Sequence, residues 1–172
     1  MAVDRDRSLL NSSFLTPHCP PMTYTQTTPQ TFLSEVAPFD QLSAAALATL
    51  ATHVQPYRYR VGQTILMREK LPAQISILFD GQVRLLGYDP ATQIPVTLRM
   101  LQSGDVLGAV GLVRGVACET AIASTETICL TLPAQTFLAL LDREPAIAAY
   151  FRNQPALIEV FELLAVDLQR AA

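Results

Sequence analysis

Ile75-Ser76-Ile77-Leu78-Phe79-Asp80-Gly81-Gln82-Val83-Arg84-Leu85 is the stretch on which the fold class turns. Successive side chains of an extended strand point to opposite faces, so Ile75, Ile77 and Phe79 share one side. Asp80-Gly81 then separates this run from Val83-Arg84-Leu85, and Asp-Gly between apolar runs is the strongest short-range hairpin mark. Outward from it, further short apolar or alternating runs lie at Tyr57 to Val61, Thr64 to Met67, Pro95 to Leu101, Thr120 to Ala123 and Ile128 to Leu132. Gly62, Asp89-Pro90 and Ser103-Gly104-Asp105 punctuate them. Many short strands with little room for crossover helices predict a mainly β chain, a β-roll (jelly-roll barrel) with N-terminal and C-terminal helices.

The helices are read from a change of period. Ser43 is a good N-cap for a helix whose Leu47, Leu50, Ala51 and Val54 recur at i, i+3, i+4 and i+7. After Pro133 the same spacing predicts a helix near Gln135 to Asp142, another from Pro145 to Phe151, and a longer one from Pro155 to Gln169. The last carries Leu157, Val160, Phe161, Leu164 and Leu168 on one stripe. Residues 1 to 28 are rich in Ser, Thr and Pro (Thr16-Pro17, Pro20-Pro21, Thr27-Thr28) and poor in apolar residues, so they read as a flexible leader to a domain covering 29 to 172.

Composition excludes several functions. A chain of 172 residues, 50% hydrophobic, holds one domain with a real core. A net charge of -3 with 12 scattered Lys and Arg gives no footprint for nucleic acid. Alternation puts Tyr57 and Tyr59 on one face and Arg58 and Arg60 on the other, the pattern of a half-buried strand. A metal-dependent enzyme in a roll of strands needs several converging His, whereas His18 and His53 are the chain's two, one in the leader and one at a helix end. Cys19, Cys118 and Cys129 lack metal or redox spacing, which suggests a reduced, cytoplasmic setting and no cofactor or metal. No stretch approaches the roughly 18 to 20 apolar residues of a membrane span.

Ser103-Gly104-Asp105-Val106-Leu107-Gly108-Ala109-Val110-Gly111-Leu112, closing at Cys118-Glu119-Thr120-Ala121, resembles the phosphate cassette of the cyclic-nucleotide-binding domain family. Gly62, Asp80-Gly81 and Gly104-Asp105 fall at corners in the order that this family uses, and the likeness covers about residues 32 to 170. It implies a cyclic-nucleotide-binding-like β-roll between an entry helix and closing helices. Members that bind nucleotide carry a Glu after the cassette glycine and an Arg at its far end. Here Ala109 and Glu119 stand in those places. The resemblance therefore marks Gly108, Ala109, Val110, Gly111, Leu112, Arg114, Cys118, Glu119 and Thr120 as a degenerate ligand pocket. Arg114 is its nearby cation, expected to lie solvated.

Each lost charge-assisted bond costs roughly 1.5 to 3 kcal/mol, and an acidic side chain adds repulsion against a phosphate. This predicts a non-catalytic regulatory or interaction domain that has lost cyclic-nucleotide binding. The alternatives are a sensor for a different small ligand and a truncated transcription regulator. Tyr57-Arg58-Tyr59-Arg60-Val61-Gly62-Gln63, Pro72 to Phe79, Arg84 to Pro90 and Cys118 to Ser124 also resemble the N-terminal regulatory domain of cyanobacterial ABC exporters with a cysteine-peptidase domain. That likeness implies a cytoplasmic part of an inner-membrane peptide exporter, whose ATPase and peptidase would lie elsewhere in the parent. The expected partners are the parent's other domains or a homodimer through Leu157, Val160, Phe161, Leu164 and Leu168. Nucleic acid is not among them, since the chain stops at Ala172 without room for a helix-turn-helix.

Overall fold

The computed structural model describes residues 28–89, 92–117, 120–157, 159–161 and 163–164. The leader up to residue 27, with His18 and Cys19, lies outside these, as do Cys118, Glu119 and Leu168.

The domain opens with α1 (Pro29–Leu33), a 3-10 turn (Phe39–Gln41) and α2 (Ala44–His53). Ser43 caps α2 as its sequence position predicts, its Oγ accepting from the Ala46 amide at 3.2 Å, a cap worth about 1 kcal/mol. The strands follow: β1 (Gln55–Tyr59), β2 (Thr64–Leu66), β3 (Gln74–Asp80), β4 (Val83–Tyr88), β5 (Pro95–Leu101), β6 (Val106–Leu107), then α3 (Ala109–Arg114), β7 (Thr120–Ala123) and β8 (Thr127–Pro133). The chain continues with α4 (Ala134–Arg143) and α5 (Pro145–Asn153). Beyond them the described residues from Leu157 to Leu164 are helical.

The closed jelly roll expected from the strand pattern does not form. The strands make two separate antiparallel four-stranded sheets, ordered β1-β8-β3-β6 and β2-β7-β4-β5, and strand accounts for 31% of a mixed α/β domain. The reason lies in β3, where Ile75, Ile77 and Leu78 are all fully buried and Ser76 nearly so. One face of this strand puts Ile75 and Ile77 into a cluster with Leu47 and Leu50 of α2, Phe137 of α4 and Phe151 of α5. The other face sends Leu78 against Val83, Leu85, Ala121 and Ala123 of the second sheet. A sheet covered by helices on one side and by strands on the other is the middle of three layers, not the wall of a barrel.

Asp80-Gly81 is likewise no hairpin turn, because β3 and β4 belong to different sheets. It is a corner at which the chain crosses from one sheet to the other. Gly81 has φ 95°, and a Cβ there would stand 2.4 Å from the Glu126 carbonyl oxygen, so the corner packs on the turn before β8 without space for a side chain. The Phe137 and Phe151 rings meet edge to face at 5.4 Å in the helical layer. That packing holds α4 and α5 together and fixes where the chain leaves toward the site.

Candidate functional site

The cassette begins at Gly104-Asp105, where the Asp105 carboxylate accepts from the Gln102 amide at 2.7 Å and from the Arg99 guanidinium at 2.9 Å. β6 then pairs with β3, and the chain turns into α3 through Gly108 at φ 81°. A Cβ at Gly108 would lie 3.3 Å from Pro72 and 3.4 Å from Leu66. The helix ends after six residues at Gly115, φ 69°. There the Val116 amide donates to the Gly111 carbonyl at 3.0 Å and the Gly115 amide to Leu112 at 3.3 Å. This glycine stop with paired back-bonds fixes the C-terminal end of α3.

The faces of α3 are apolar. Ala109 and Leu112 are buried in the helical-layer core, and Val110 packs on Ala156 and Leu98. Arg114 is exposed, and it is also engaged. Its guanidinium donates to the Gln154 carbonyl at 2.9 Å and to the Glu159 carboxylate, tying the cassette helix to the segment after α5. Thr120 starts β7, nearly buried, with its Oγ accepting from the Arg68 amide at 3.2 Å. Among the expected site residues, Gly108 to Arg114 form one unit with the C-terminal segment. Thr120 sits on a different rim, and Cys118 and Glu119 fall outside the described residues.

Two features were missed by sequence reasoning. A bulge in the β4–β5 ladder pairs Leu85 with Arg99 and Leu86 with Thr97, leaving Leu98 as an extra residue. Leu98 lies over Gly87, where a Cβ would meet its methyl carbons at 3.0 Å. The isolated glycine inside a strand is the signal that could have announced this close approach. A cavity of about 200 Å3 lies beside it, lined by Leu85, Arg99, Asp105, Val110, Gln154 and Leu157. Sequence spacing gave no hint that residues after α5 close this cavity.

Residues 56–144 match the family described as Cyclic nucleotide-binding domain. The chain belongs to that family. No curated protein matches it. Among solved structures, it resembles the regulatory subunit of a cAMP-independent protein kinase A from Trypanosoma cruzi bound to guanosine, at 19% identity and TM-score 0.67, over 77% of this chain and 46% of that one. The regulatory domain of Toxoplasma gondii PKA with cAMP matches at 17% identity and TM-score 0.63, over 82% and 49%. Thermus thermophilus Catabolite Activator Protein matches at 25% identity and TM-score 0.57, over 77% and 58%. This cyclic-nucleotide-binding domain thus spans about half the length of these three structures.

These relatives overturn the exporter expectation. They are kinase regulatory subunits and an activator protein, with no link to a peptidase-bearing transporter or to cyanobacteria, and they set aside the reading of a nucleotide-blind exporter module. The solved structures it resembles are named for regulation, not for catalysis. No described helix is long and apolar enough to cross a membrane, and no group of three or more His, Cys, Asp or Glu gathers among the described residues.

Proposed function

We propose that this cyclic-nucleotide-binding domain is a sensor of a small neutral ligand of nucleoside type, which reports occupancy through its C-terminal helix. One observation carries the reading: the cavity between β4, β5 and α3 is closed by the segment that Arg114 ties down. At about 200 Å3 it is smaller than the roughly 300 to 1,000 Å3 of ordinary ligand pockets, so a nucleoside enters only as that segment lifts. Entry and release of the helix are then one event. The helical stripe carries the signal outward, with Val160 and Leu164 exposed for another domain or a second copy and Leu157 and Phe161 half-buried beneath.

Neutrality of the ligand follows from the lining. Arg99 is already paired with Asp105, the α3 side chains are apolar, and Arg114 is engaged by Glu159. A cyclic phosphate would find no uncommitted cation among the described residues that line the cavity. The Trypanosoma cruzi relative, cAMP-independent and bound to guanosine, supports the same class. A thermal-shift titration tests it. Guanosine, adenosine or inosine is expected to raise the melting temperature while cyclic AMP and cyclic GMP leave it unchanged, because a ligand that binds the folded state stabilises it by mass action. Stabilisation by micromolar cyclic AMP, or by none of the nucleosides, removes the proposal.

A further inference from the structure

A second cavity, about 300 Å3, lies on the far side of the β2-β7-β4-β5 sheet, and its wall is lined with hydrogen-bond donors. Leu66, Ala121, Ala123 and Leu85 point between the sheets, so Thr120 and Ile122, which alternate with the two alanines, face outward into this space, and Thr64 joins them because the β2 bulge pairs it with Ile122. It is separate from the cavity closed by the C-terminal segment, and the two share no lining residue.

Arg68 is the central donor. Its guanidinium carbon stands 4.3 Å from the centroid of the Tyr88 ring, which holds the planar group in place by cation–π attraction. No hydrogen bond or ion pair of that guanidinium is found among the described residues, although its main-chain amide is spent on Thr120. Thr120 is 8% exposed, and its hydroxyl oxygen accepts from that amide while its own proton meets no acceptor among the described residues. The exposed Thr64 hydroxyl adds a third donor at the same wall. Arg68 is half-buried and Thr64 exposed, so the three donors converge on a wall that solvent reaches, where a partner rich in acceptors can meet them together.

We infer that this pocket binds an oxyanion, the carboxylate or phosphate of a small metabolite, with the Arg68 guanidinium as a forked donor and the Thr120 and Thr64 hydroxyls completing the contact. A ring-stacked guanidinium presents two parallel N–H groups to two oxygens, the geometry that carboxylate and phosphate share. Glu69, exposed on the rim, is the one carboxylate among the described lining residues and weakens the site. The site does not depend on the neutral-ligand reading above and acts at a different place on the fold.

Amide-resolved NMR titration of the whole chain with inorganic phosphate, and separately with malonate, tests the inference. Saturable shifts at Thr64, Arg68, Tyr88 and Thr120 are expected with one or both, and the responding anion tells a phosphate site from a carboxylate site. Arg68→Gln should weaken binding by about tenfold or more, as loss of a charge-assisted bond does, and Arg68→Lys should fail to restore it. Glu69→Gln should tighten it. The same spectra report whether each variant is folded. No saturable shift with either anion, or an unchanged affinity in a folded Arg68→Gln chain, overturns the site.

Discussion

Arg114 on α3 donates to the carboxylate of Glu159, 45 residues further along the chain, and this pair binds the cassette helix to the C-terminal helix. Neither side chain is fully buried, so the pair is partly screened and its contribution to stability is about 1 kcal/mol or less. Its mechanical role is larger than its energy. It sets how readily the segment over the cavity lifts.

Arg114→Ala therefore should tighten ligand binding while loosening the helix. If the free protein spends about 1 kcal/mol on opening, removing that cost raises apparent affinity about fivefold. Hydrogen exchange of residues 157–164 should quicken in the same variant, with the melting temperature little changed. An affinity equal to the wild type's in calorimetry would show that the clasp does not gate the cavity.

The corner at Gly81 supplies a stability prediction independent of any ligand. An alanine there takes up a left-handed φ of 95° and drives its Cβ against main-chain atoms of Glu126 and Thr127, which cannot swing aside as a side-chain tip can. Gly81→Ala should destabilise the domain by about 3 kcal/mol, the sum of backbone strain and displacement. Gly62→Ala is its control, since that glycine has φ 81° and open space around its Cβ position, so it meets the conformational cost alone, about 1 kcal/mol. Urea melts of the two variants should separate clearly, and equal midpoints would refute the account.

Gly81 also shows how far the sequence can be read. Period-2 spacing located the strands because it reports local alternation, and Ser43, Pro133 and Pro145 located the helix starts because caps and prolines act locally. Sheet membership is not local. Asp80-Gly81 has the chemistry of a hairpin and serves as a crossing, since Gly81 is needed for close approach to residues 45 positions away, and no window around it contains them. The cassette glycines marked the turns around α3 for the same reason that a turn residue announces a turn. Gln154, Glu159 and Leu98 were invisible as site residues, because a clasp and a bulge are properties of partners distant in sequence.

Cys129 gives a pH dependence with a definite sign. Burial pushes its thiol up from 9.0 to about 12, and burial is also the main reason that the Tyr59 hydroxyl is raised. Between those values for Cys129 the unfolded chain has lost a proton that the folded chain retains, so the stability contribution is complete below about pH 9 and declines as pH rises. Denaturation midpoints at about pH 8 and about pH 10.5 should fall more in the wild type than in Cys129→Ala, with Tyr59 supplying the remaining decline in both. Peptide mapping after iodoacetamide treatment should find Cys129 unmodified until the chain unfolds, since a buried neutral thiol is a poor nucleophile. Labelling of Cys129 in the native state would contradict its placement.

Gly87 and Leu98 allow the bulge to be tested as a determinant of the cavity. An alanine at position 87 brings its Cβ to 3.0 Å from both methyl carbons of Leu98, close enough that the side chain must move, and the space open to it is bounded by Val110 and Ala156. Gly87→Ala should cost about 1 to 2 kcal/mol from overpacking. Leu98→Ala should cost a similar amount by removing the contact with Val110 and Ala156. The double variant should lose less than the sum of the two, because the shortened side chain no longer meets the new methyl group, and residues in contact are where additivity fails. The cavity should respond in opposite directions through Val110, which lines it and on which Leu98 packs: Gly87→Ala presses Leu98 against Val110 and weakens nucleoside binding, while Leu98→Ala lets Val110 withdraw and strengthens it. Strictly additive stabilities would mean that Leu98 does not rest on Gly87, and affinities that move together would mean that it does not support the cavity wall at Val110.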